Sequence, residues 1–222
     1  MSAQKFGTTW WGRKWVRRLE SLTTSYPNPR LVRGRTLARA GVTNLVVVPG
    51  AVSASVRQGK STYSVRITVP TWTEVEWSTA VRVLGSQVKY LAELLSRRMP
   101  ENIDEVLGDV RLSIFPQRGD LASTCPCPDT EADPCAHGAA VHYAFAATLD
   151  DDPFLLFTLR GRNCGRLLAA LRATASDGVP IESLRTATFL VSKTDLTAFL
   201  DTPIDTEASG AVAAQARRLL GK

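Results

Sequence analysis

Cys125-Pro-Cys-Pro-Asp-Thr-Glu-Ala-Asp-Pro-Cys-Ala-His137 contains three of the four cysteines and one of the two histidines among the 222 residues of the chain. One residue separates its first two cysteines, one residue separates its last cysteine from the histidine, and seven residues join the two pairs. Three thiolates and an imidazole are the donors of a tetrahedral structural zinc site. The sequence therefore predicts a structural zinc ion bound by Cys125, Cys127, Cys135 and His137.

The residues between these ligands predict how the site is built. Three prolines restrict the backbone, so that less chain entropy is lost when the ligands converge. Asp133 followed by Pro134 is typical of a helix N-cap with proline in the first turn. We therefore expect a helix from Pro134 to about Ala147, with the last two ligands in its first turn.

Other uses of these side chains are disfavoured. Disulfide frameworks belong to small secreted domains with a high density of cysteine, and this chain has too few cysteines for its length. A catalytic zinc ion keeps an open position and a nearby general base, whereas four ligands fill the shell here and the chain has no His-x-Glu or His-Glu-x-x-His pattern. His142 remains an alternative ligand to Cys125 or His137, and Cys164 is expected to be a small buried side chain.

The order Cys-x-Cys, spacer, Cys-x-His resembles the SWIM zinc finger. Three more stretches resemble the bacterial SWIM zinc finger family, and the resemblance covers roughly residues 4 to 172 but fits the C-terminal part poorly. These stretches are Phe6-Gly-Thr-Thr-Trp-Trp-Gly-Arg-Lys-Trp15, Arg33-Gly-Arg-Thr-Leu-Ala-Arg39 and Asp152-Pro-Phe-Leu-Leu-Phe-Thr-Leu-Arg-Gly-Arg162. The resemblance implies nucleic-acid or protein binding, often beside a DNA-translocating helicase of the Swi/Snf type.

The net charge of +6 is unevenly distributed. Residues 1–69 contain twelve Lys or Arg and a single acid, Glu20, so this part carries +11 and the remainder −5. A basic first third on a near-neutral remainder predicts a local surface for a polyanion.

The sequence also predicts a cytoplasmic protein. No run of 18 apolar residues indicates a membrane span, and the N-terminus lacks the apolar core of a signal peptide. Reduced thiolates that hold zinc suit the same compartment, and the excess of arginine over lysine points to a GC-rich bacterial genome.

Eight basic residues are the candidates for nucleic-acid contact. A helix from Trp10 to about Thr23, capped by Thr8 or Thr9, buries Trp15 and leaves Trp10 as the one candidate for base stacking. We expect residues 24–41 to form a loop in which glycines allow arginines to follow a phosphate backbone. The candidates on the helix are Arg13, Lys14, Arg17 and Arg18, and those on the loop are Arg30, Arg33, Arg35 and Arg39.

The remaining pattern predicts an antiparallel sheet and several helices. Period-two alternation indicates three strands between residues 45 and 69, whose polar face either extends the binding surface or is solvated. A capping box at Thr73 starts a helix that bends at Gly85 and runs to about Arg98. A short helix at 102–107, a strand at 110–115 before the finger and short helices after it complete the pattern. Arg160, Arg162 and Arg166 form a second basic cluster, for which surface ion pairs and phosphate contacts are both open.

The predicted fold is therefore α+β, with three parts. Residues 1–108 form a basic module of an N-terminal helix, a small antiparallel sheet and a long helix. Residues 109–175 form a zinc-stabilised hairpin and helix of the SWIM type with the helices that follow, and residues 176–222 form a C-terminal helical tail.

The predicted function is zinc-dependent and non-enzymatic binding of nucleic acid, with DNA favoured over RNA and a Swi/Snf-type helicase as a partner. The acids of Asp150-Asp-Asp152 are explained as cap and loop residues and not as a catalytic metal cluster. In the alternative hypothesis the zinc module and the tail dock a helicase or recombination partner without touching nucleic acid. The oligomeric state is left open.

Overall fold

The computed structural model describes residues 6–22, 27–117, 119–129 and 134–176. Within these ranges the chain forms eight α-helices and one four-stranded antiparallel sheet, which confirms the predicted α+β class. The elements are α1 (Trp10–Ser21), α2 (Pro29–Gly41), β1 (Val42–Val48), β2 (Ala51–Gln58), β3 (Ser61–Thr68), α3 (Glu74–Gly85), α4 (Val88–Leu95), α5 (Ile103–Gly108), β4 (Ala122–Thr124), α6 (Ala136–Asp151), α7 (Leu155–Leu159) and α8 (Cys164–Ser176).

The sheet has the order β1-β2-β3-β4 and packs one face against α6. Alternate residues of β2 and β3 turn their apolar side chains to this face, and they are buried: Val52, Ala54, Val56, Val65 and Ile67. Helix α6 is apolar on every side, as expected of a helix in the centre of a fold, and α1 and α2 also pack against it. The three predicted strands and their two turns are confirmed.

Residues 110–115 do not form the predicted strand. The carboxylate of Asp104 accepts hydrogen bonds from the Ser113 hydroxyl (2.8 Å) and the Ile114 amide (3.0 Å). The buried guanidinium of Arg160 donates to the carbonyls of Ile114 (3.2 Å) and Phe115 (3.0 Å). Because these side chains satisfy the backbone groups, the segment needs no strand partner. The strand that leads to the cysteines is β4, and it pairs with β3 of the main sheet.

Residues 29–41 form a helix, so the predicted loop is wrong in this region. Asn28 caps α2, and its side chain accepts from the amide of Arg30 at 2.9 Å. Pro29 follows at the first helical position, where its missing N–H costs nothing. The helix lacked a clear signal in the sequence because its buried positions are mostly small, namely Leu31, Gly34 and Ala38.

Gly34 allows α2 to approach α6 closely. A Cβ atom at this position would lie 2.5 Å from the Cβ of Ala139, 3.0 Å from the carbonyl oxygen of Ala136 and 3.1 Å from the amide nitrogen of Ala140. These distances are shorter than van der Waals contact, so only glycine fits between the two helices. Gly34 therefore serves close packing, and the predicted role in loop freedom is wrong.

Asp150 joins the end of α6 to the start of α1. Its carboxylate accepts from the amides and hydroxyls of Thr8 and Thr9 at 2.5–3.1 Å, and Thr9 caps α1. Burial opposes ionisation of Asp150, but these hydrogen bonds outweigh it and hold the pKa of the carboxyl below its usual value. Asp152 accepts from the amide of Phe154 before α7, so both acids act in helix ends, as the sequence predicts.

The capping box at Thr73 is present, and its hydroxyl accepts from the amide of Glu76 while that carboxylate accepts from the Thr73 amide. The predicted single helix is interrupted, because Gln87 is extended and separates α3 from α4.

Arg160 is buried and binds backbone carbonyls, including that of Pro70 at 2.9 Å, so it is no part of a surface cluster.

The predicted boundary between residues 108 and 109 stays a prediction; in the structure, α1 and α2 of the first predicted module pack against α6 of the second. The predicted tail lies outside the described residues beyond Ser176. Among the helices that the structure describes, none combines the length and the apolar character needed to cross a bilayer.

We expect Gly34→Ala to destabilise the protein, although alanine is the better helix former by about 1 kcal/mol. The added methyl group collides with Ala139, and overpacking of this kind costs about 1–3 kcal/mol. Chemical denaturation of the metal-loaded protein measures the loss, and Ala139→Gly in the same chain should restore much of it. Gly108→Ala is the control, because no atom lies within 4 Å of its added Cβ. A loss no larger than that of the control would contradict the close contact.

Candidate metal centre

The four predicted ligands come from two elements that meet beside the sheet. Cys125 and Cys127 directly follow β4, while Cys135 and His137 lie at the start of α6. The helix begins at Ala136 with Cys135 as its N-cap, so the predicted start at Pro134 with Asp133 as the cap is wrong. The Sγ atom of Cys135 accepts from the amide of Gly138 at 3.4 Å. The predicted ligand Cys135 therefore also caps the N-terminus of α6.

The donor atoms of Cys125, Cys127, Cys135 and His137 all lie within 4.8 Å of one another, which is close enough to bind a metal ion. Bonds of about 2.3 Å from zinc to sulfur would place tetrahedral donors about 3.8 Å apart. The side chains would therefore close by at most about 1 Å around an ion of that size. Three of the four residues are buried and Cys125 is half-buried.

The imidazole of His137 is held in one orientation by the hairpin of β2 and β3. Its Nε2 atom donates to Oε1 of Gln58 at 2.5 Å, and the ring of Tyr63 stacks on it with the centroids 4.2 Å apart. The Nδ1 atom is buried and has no hydrogen-bond partner among the residues that the structure describes. A proton on Nε2 leaves a lone pair on Nδ1, so this otherwise unpaired atom fits the role of a metal ligand.

The surroundings of the thiols favour their neutral form when no cation is bound. Burial, together with the neighbouring Cys127 and Cys135 thiols, raises the pKa of Cys125 to about 12, although a backbone hydrogen bond from Cys127 lowers it. Burial likewise raises the pKa of Cys135. A bound divalent cation reverses this preference, because it favours the thiolate form. Burial also lowers the pKa of His137, which keeps the ring neutral as a ligand must be.

Helix α2 adds positive charge next to the centre. The guanidinium of Arg30 donates two hydrogen bonds of 2.9 Å to the carboxylate of Asp129, two residues after Cys127. Arg33 lies close enough to His137 to contribute to the lowering of its pKa. Three thiolates and a divalent ion would leave one net negative charge; because Asp129 already balances Arg30, Arg33 is the arginine that would offset it.

Two more of the eight predicted nucleic-acid contacts pair with acids of the same chain, and the guanidinium of Arg13 donates to the carbonyl of Thr8. Lys14 forms an ion pair with Asp104 at 2.7 Å. Arg35 lies 3.8 Å from Glu20 and stacks its guanidinium on the ring of Tyr143. Phosphate would therefore have to compete with existing contacts at these positions.

The other predicted basic residues lie at or near the surface. Arg13, Arg17, Arg33 and Arg39 are exposed, and Arg18 is half-buried. They are distributed over α1 and α2, and their role in nucleic-acid binding stays a prediction.

The predicted stacking residue Trp10 packs within the protein. Its ring contacts Trp11 (5.5 Å between centroids) and Phe115 (6.1 Å), and its Nε1 atom is buried.

Of the second basic cluster, Arg162 forms an ion pair with Glu74 and Arg166 is exposed.

His142 and Cys164 lie outside the metal cluster. His142 is fully buried, with Nε2 3.4 Å from the hydroxyl of Ser123, and burial lowers its pKa to about 3. Its ring packs beside Trp15. Cys164 is half-buried and accepts from the guanidinium of Arg97 at 3.6 Å.

Gln58 and Tyr63 are the site residues that sequence reasoning missed. Both lie at the end of the β2–β3 hairpin, far from the cysteines in the sequence, and no motif links them to the ligands. Only the packing of the hairpin beside the start of α6 brings them together.

The chain is 39% identical over 173 residues to "Uncharacterized protein Rv2102" of Mycobacterium tuberculosis. The match covers 77% of this chain and 61% of that protein, so the chain spans less than two thirds of the length of this relative. No protein-family model matches the sequence. No solved structure matches it significantly.

We expect the purified protein to contain one metal ion per chain and to lose it when any ligand is replaced. Structural zinc contributes on the order of 10–16 kcal/mol in finger peptides, so Cys127→Ser or Cys135→Ser should lower both the metal content and the melting temperature. Elemental analysis and thermal denaturation measure the two effects. Cys164→Ser is the matched control, since this thiol lies outside the cluster. Equal metal content in all three variants would exclude the site.

We expect Gln58→Leu to weaken metal binding by about 10–100-fold, the usual effect of removing a residue that orients a ligand. Competition with a chromophoric chelator measures the affinity. Gln58→Glu keeps a hydrogen-bond acceptor for Nε2 of His137 and should retain most of the metal affinity. Gln87→Leu, at an exposed position between α3 and α4, should have no effect. Wild-type affinity in Gln58→Leu would show that this contact does not orient His137.

Proposed function

We propose that this protein is a non-enzymatic, zinc-binding protein of the SWIM type that binds nucleic acid, with DNA favoured. The observation that carries the proposal is the closed set of four donors, three thiols and one imidazole, within 4.8 Å of one another. This donor set is typical of structural zinc, whereas catalytic zinc ordinarily has three protein ligands and an open position. In this role the ion stabilises the junction of β4 and α6.

The charge distribution supports a polyanionic ligand. Helices α1 and α2 expose Arg13, Arg17, Arg33 and Arg39, and Arg33 lies near the candidate ligand His137. Guanidinium groups bind phosphate with two parallel hydrogen bonds, and backbone contacts of this kind are independent of base sequence. A Swi/Snf-type helicase partner is part of the proposal and rests on the resemblance in sequence alone.

A protein adaptor is the second candidate function. It is favoured by the ion pairs of Lys14, Arg30 and Arg35, which engage part of the basic surface with acids of the same chain. Pull-down from nuclease-treated extract distinguishes the two: a specific protein partner kept without nucleic acid, with no nucleic-acid binding by the pure protein, favours the adaptor.

We expect zinc-loaded protein to bind labelled duplex and single-stranded oligonucleotides with an affinity that falls steeply with salt. Each phosphate contact contributes about 0.9 to the slope of log affinity against log salt on duplex DNA. Arg17→Gln with Arg33→Gln should reduce both the affinity and the slope, while a chelator should abolish binding. Arg82→Gln with Arg98→Gln is the control of equal charge, because both residues are exposed on or after α3 and α4. No binding by the zinc-loaded wild type would refute the proposal.

A further inference from the structure

Among the described residues, the middle of the sheet face that turns away from α6 is exposed and polar, whereas Ala51 at one end of this face is buried. Register places Val46, Ser53, Arg66 and Thr124 side by side in one row across all four strands. Thr43, Ser55 and Ser64 form the next row, and Arg57 pairs with Thr62 beyond it. All of these residues are exposed or half-buried. The face is thus a shallow surface of small hydroxyl side chains with two arginines.

The charge on this face has one sign. Residues 21–73, which include α2 and the first three strands, contain seven Lys or Arg and no Asp or Glu. β4 adds Ala122, Ser123 and Thr124, which are uncharged. Among the described residues of the four strands, therefore, Arg57 and Arg66 have no acidic neighbour on the same face. This differs from Lys14, Arg30 and Arg35, which already contact acids.

We propose that this face of the sheet, centred on Arg57 and Arg66, binds the phosphodiester backbone of a nucleic acid. The inference rests on the proposed function and adds the sheet face to the exposed arginines of α1 and α2 as a surface for phosphate. Hydroxyl and guanidinium groups are common donors to phosphate oxygens, and short side chains let a backbone approach closely.

The spacing of the arginines favours a polymer over a small anion. Ser53 pairs with Arg66 and lies four residues before Arg57 on β2, so the two guanidinium-bearing residues are about 13 Å apart along the strands. A chain of phosphates reaches both, whereas a single phosphate group reaches only one. The face carries no aromatic side chain among the residues of its rows, so it offers contacts to the backbone and none for base stacking.

Charge complementarity also decides against a second copy of the chain on this face. An isologous contact would place arginines of like sign against each other across the interface. The phosphates of a nucleic acid would instead place negative charge opposite both arginines. The exposed side chain of Val46, at the edge of the row, can contact the apolar side of a sugar.

The test compares zinc-loaded full-length variants on a labelled duplex of about 20 base pairs and on single strands of DNA and RNA of equal length. The sheet variant is Arg57→Gln with Arg66→Gln, and the helix variant is Arg17→Gln with Arg33→Gln. Arg82→Gln with Arg98→Gln removes the same charge elsewhere. Arg57→Lys with Arg66→Lys keeps the charge on the sheet, and Ser64→Glu places an acid in the middle of the face. Metal content and melting temperature are measured for each variant.

We expect the sheet variant to bind about tenfold more weakly than the control, with a salt slope smaller by about 1.8 on duplex DNA or about 1.4 on single strands. The lysine variant should keep most of the affinity. Ser64→Glu should bind nucleic acid much more weakly, although both arginines of the sheet face are still present. If the sheet variant and Ser64→Glu bind like the control, the inference is overturned, and a loss confined to the helix variant leaves the proposed function intact. If the wild type binds no nucleic acid, both are overturned.

Discussion

The close packing of α2 on α6 is the constraint on which the rest of this structure depends. Helix α6 is apolar on all sides and is covered by α1, α2 and the inner face of the sheet. Small residues, Gly34 on one helix and Ala139 on the other, let the two backbones approach within a distance that excludes a single added methyl group. Interiors packed to this density have little room for rearrangement. Helix α6 therefore positions Cys135 and His137 at its start and Asp150, which contacts the start of α1, at its end.

At its N-terminal end, α6 carries two of the four residues that could bind a metal ion. Cys135 caps the helix, His137 lies in its first turn, and β4 delivers the other two cysteines from the edge of the sheet. The contacts of His137 with Gln58 and Tyr63 tie the centre to the β2–β3 hairpin, and the pair of Arg30 and Asp129 ties it to α2. A metal ion bound here would join three parts of the fold. Loss of the ion would then affect surfaces well beyond the ligands.

The basic residues fall into two groups with different surroundings. Those on α1 and α2 are in part engaged by acids of the same chain, such as Glu20 and Asp129. Those on the outer sheet face, Arg57 and Arg66, stand among hydroxyl groups without an acid in their rows. An ion pair at the surface contributes little to stability, but it lowers the charge available to a ligand. For this reason we propose the sheet face as the surface for phosphate, although the helices carry more arginines.

The sequence by itself predicted the cluster of three cysteines and a histidine, the alternating strands of the hairpin and the capping box at Thr73. Each of these is a pattern of near neighbours that acts through local backbone geometry. The sequence did not determine that residues 29–41 are helical or that residues 110–115 are not a strand. The cap of α2 at Asn28 was present in the sequence, but α2 buries only three residues, two of them glycine and alanine, so it has no strong apolar pattern. The roles of Gly34, Gln58 and Arg160 were decided only by the tertiary structure, since each depends on atoms brought close from distant parts of the chain.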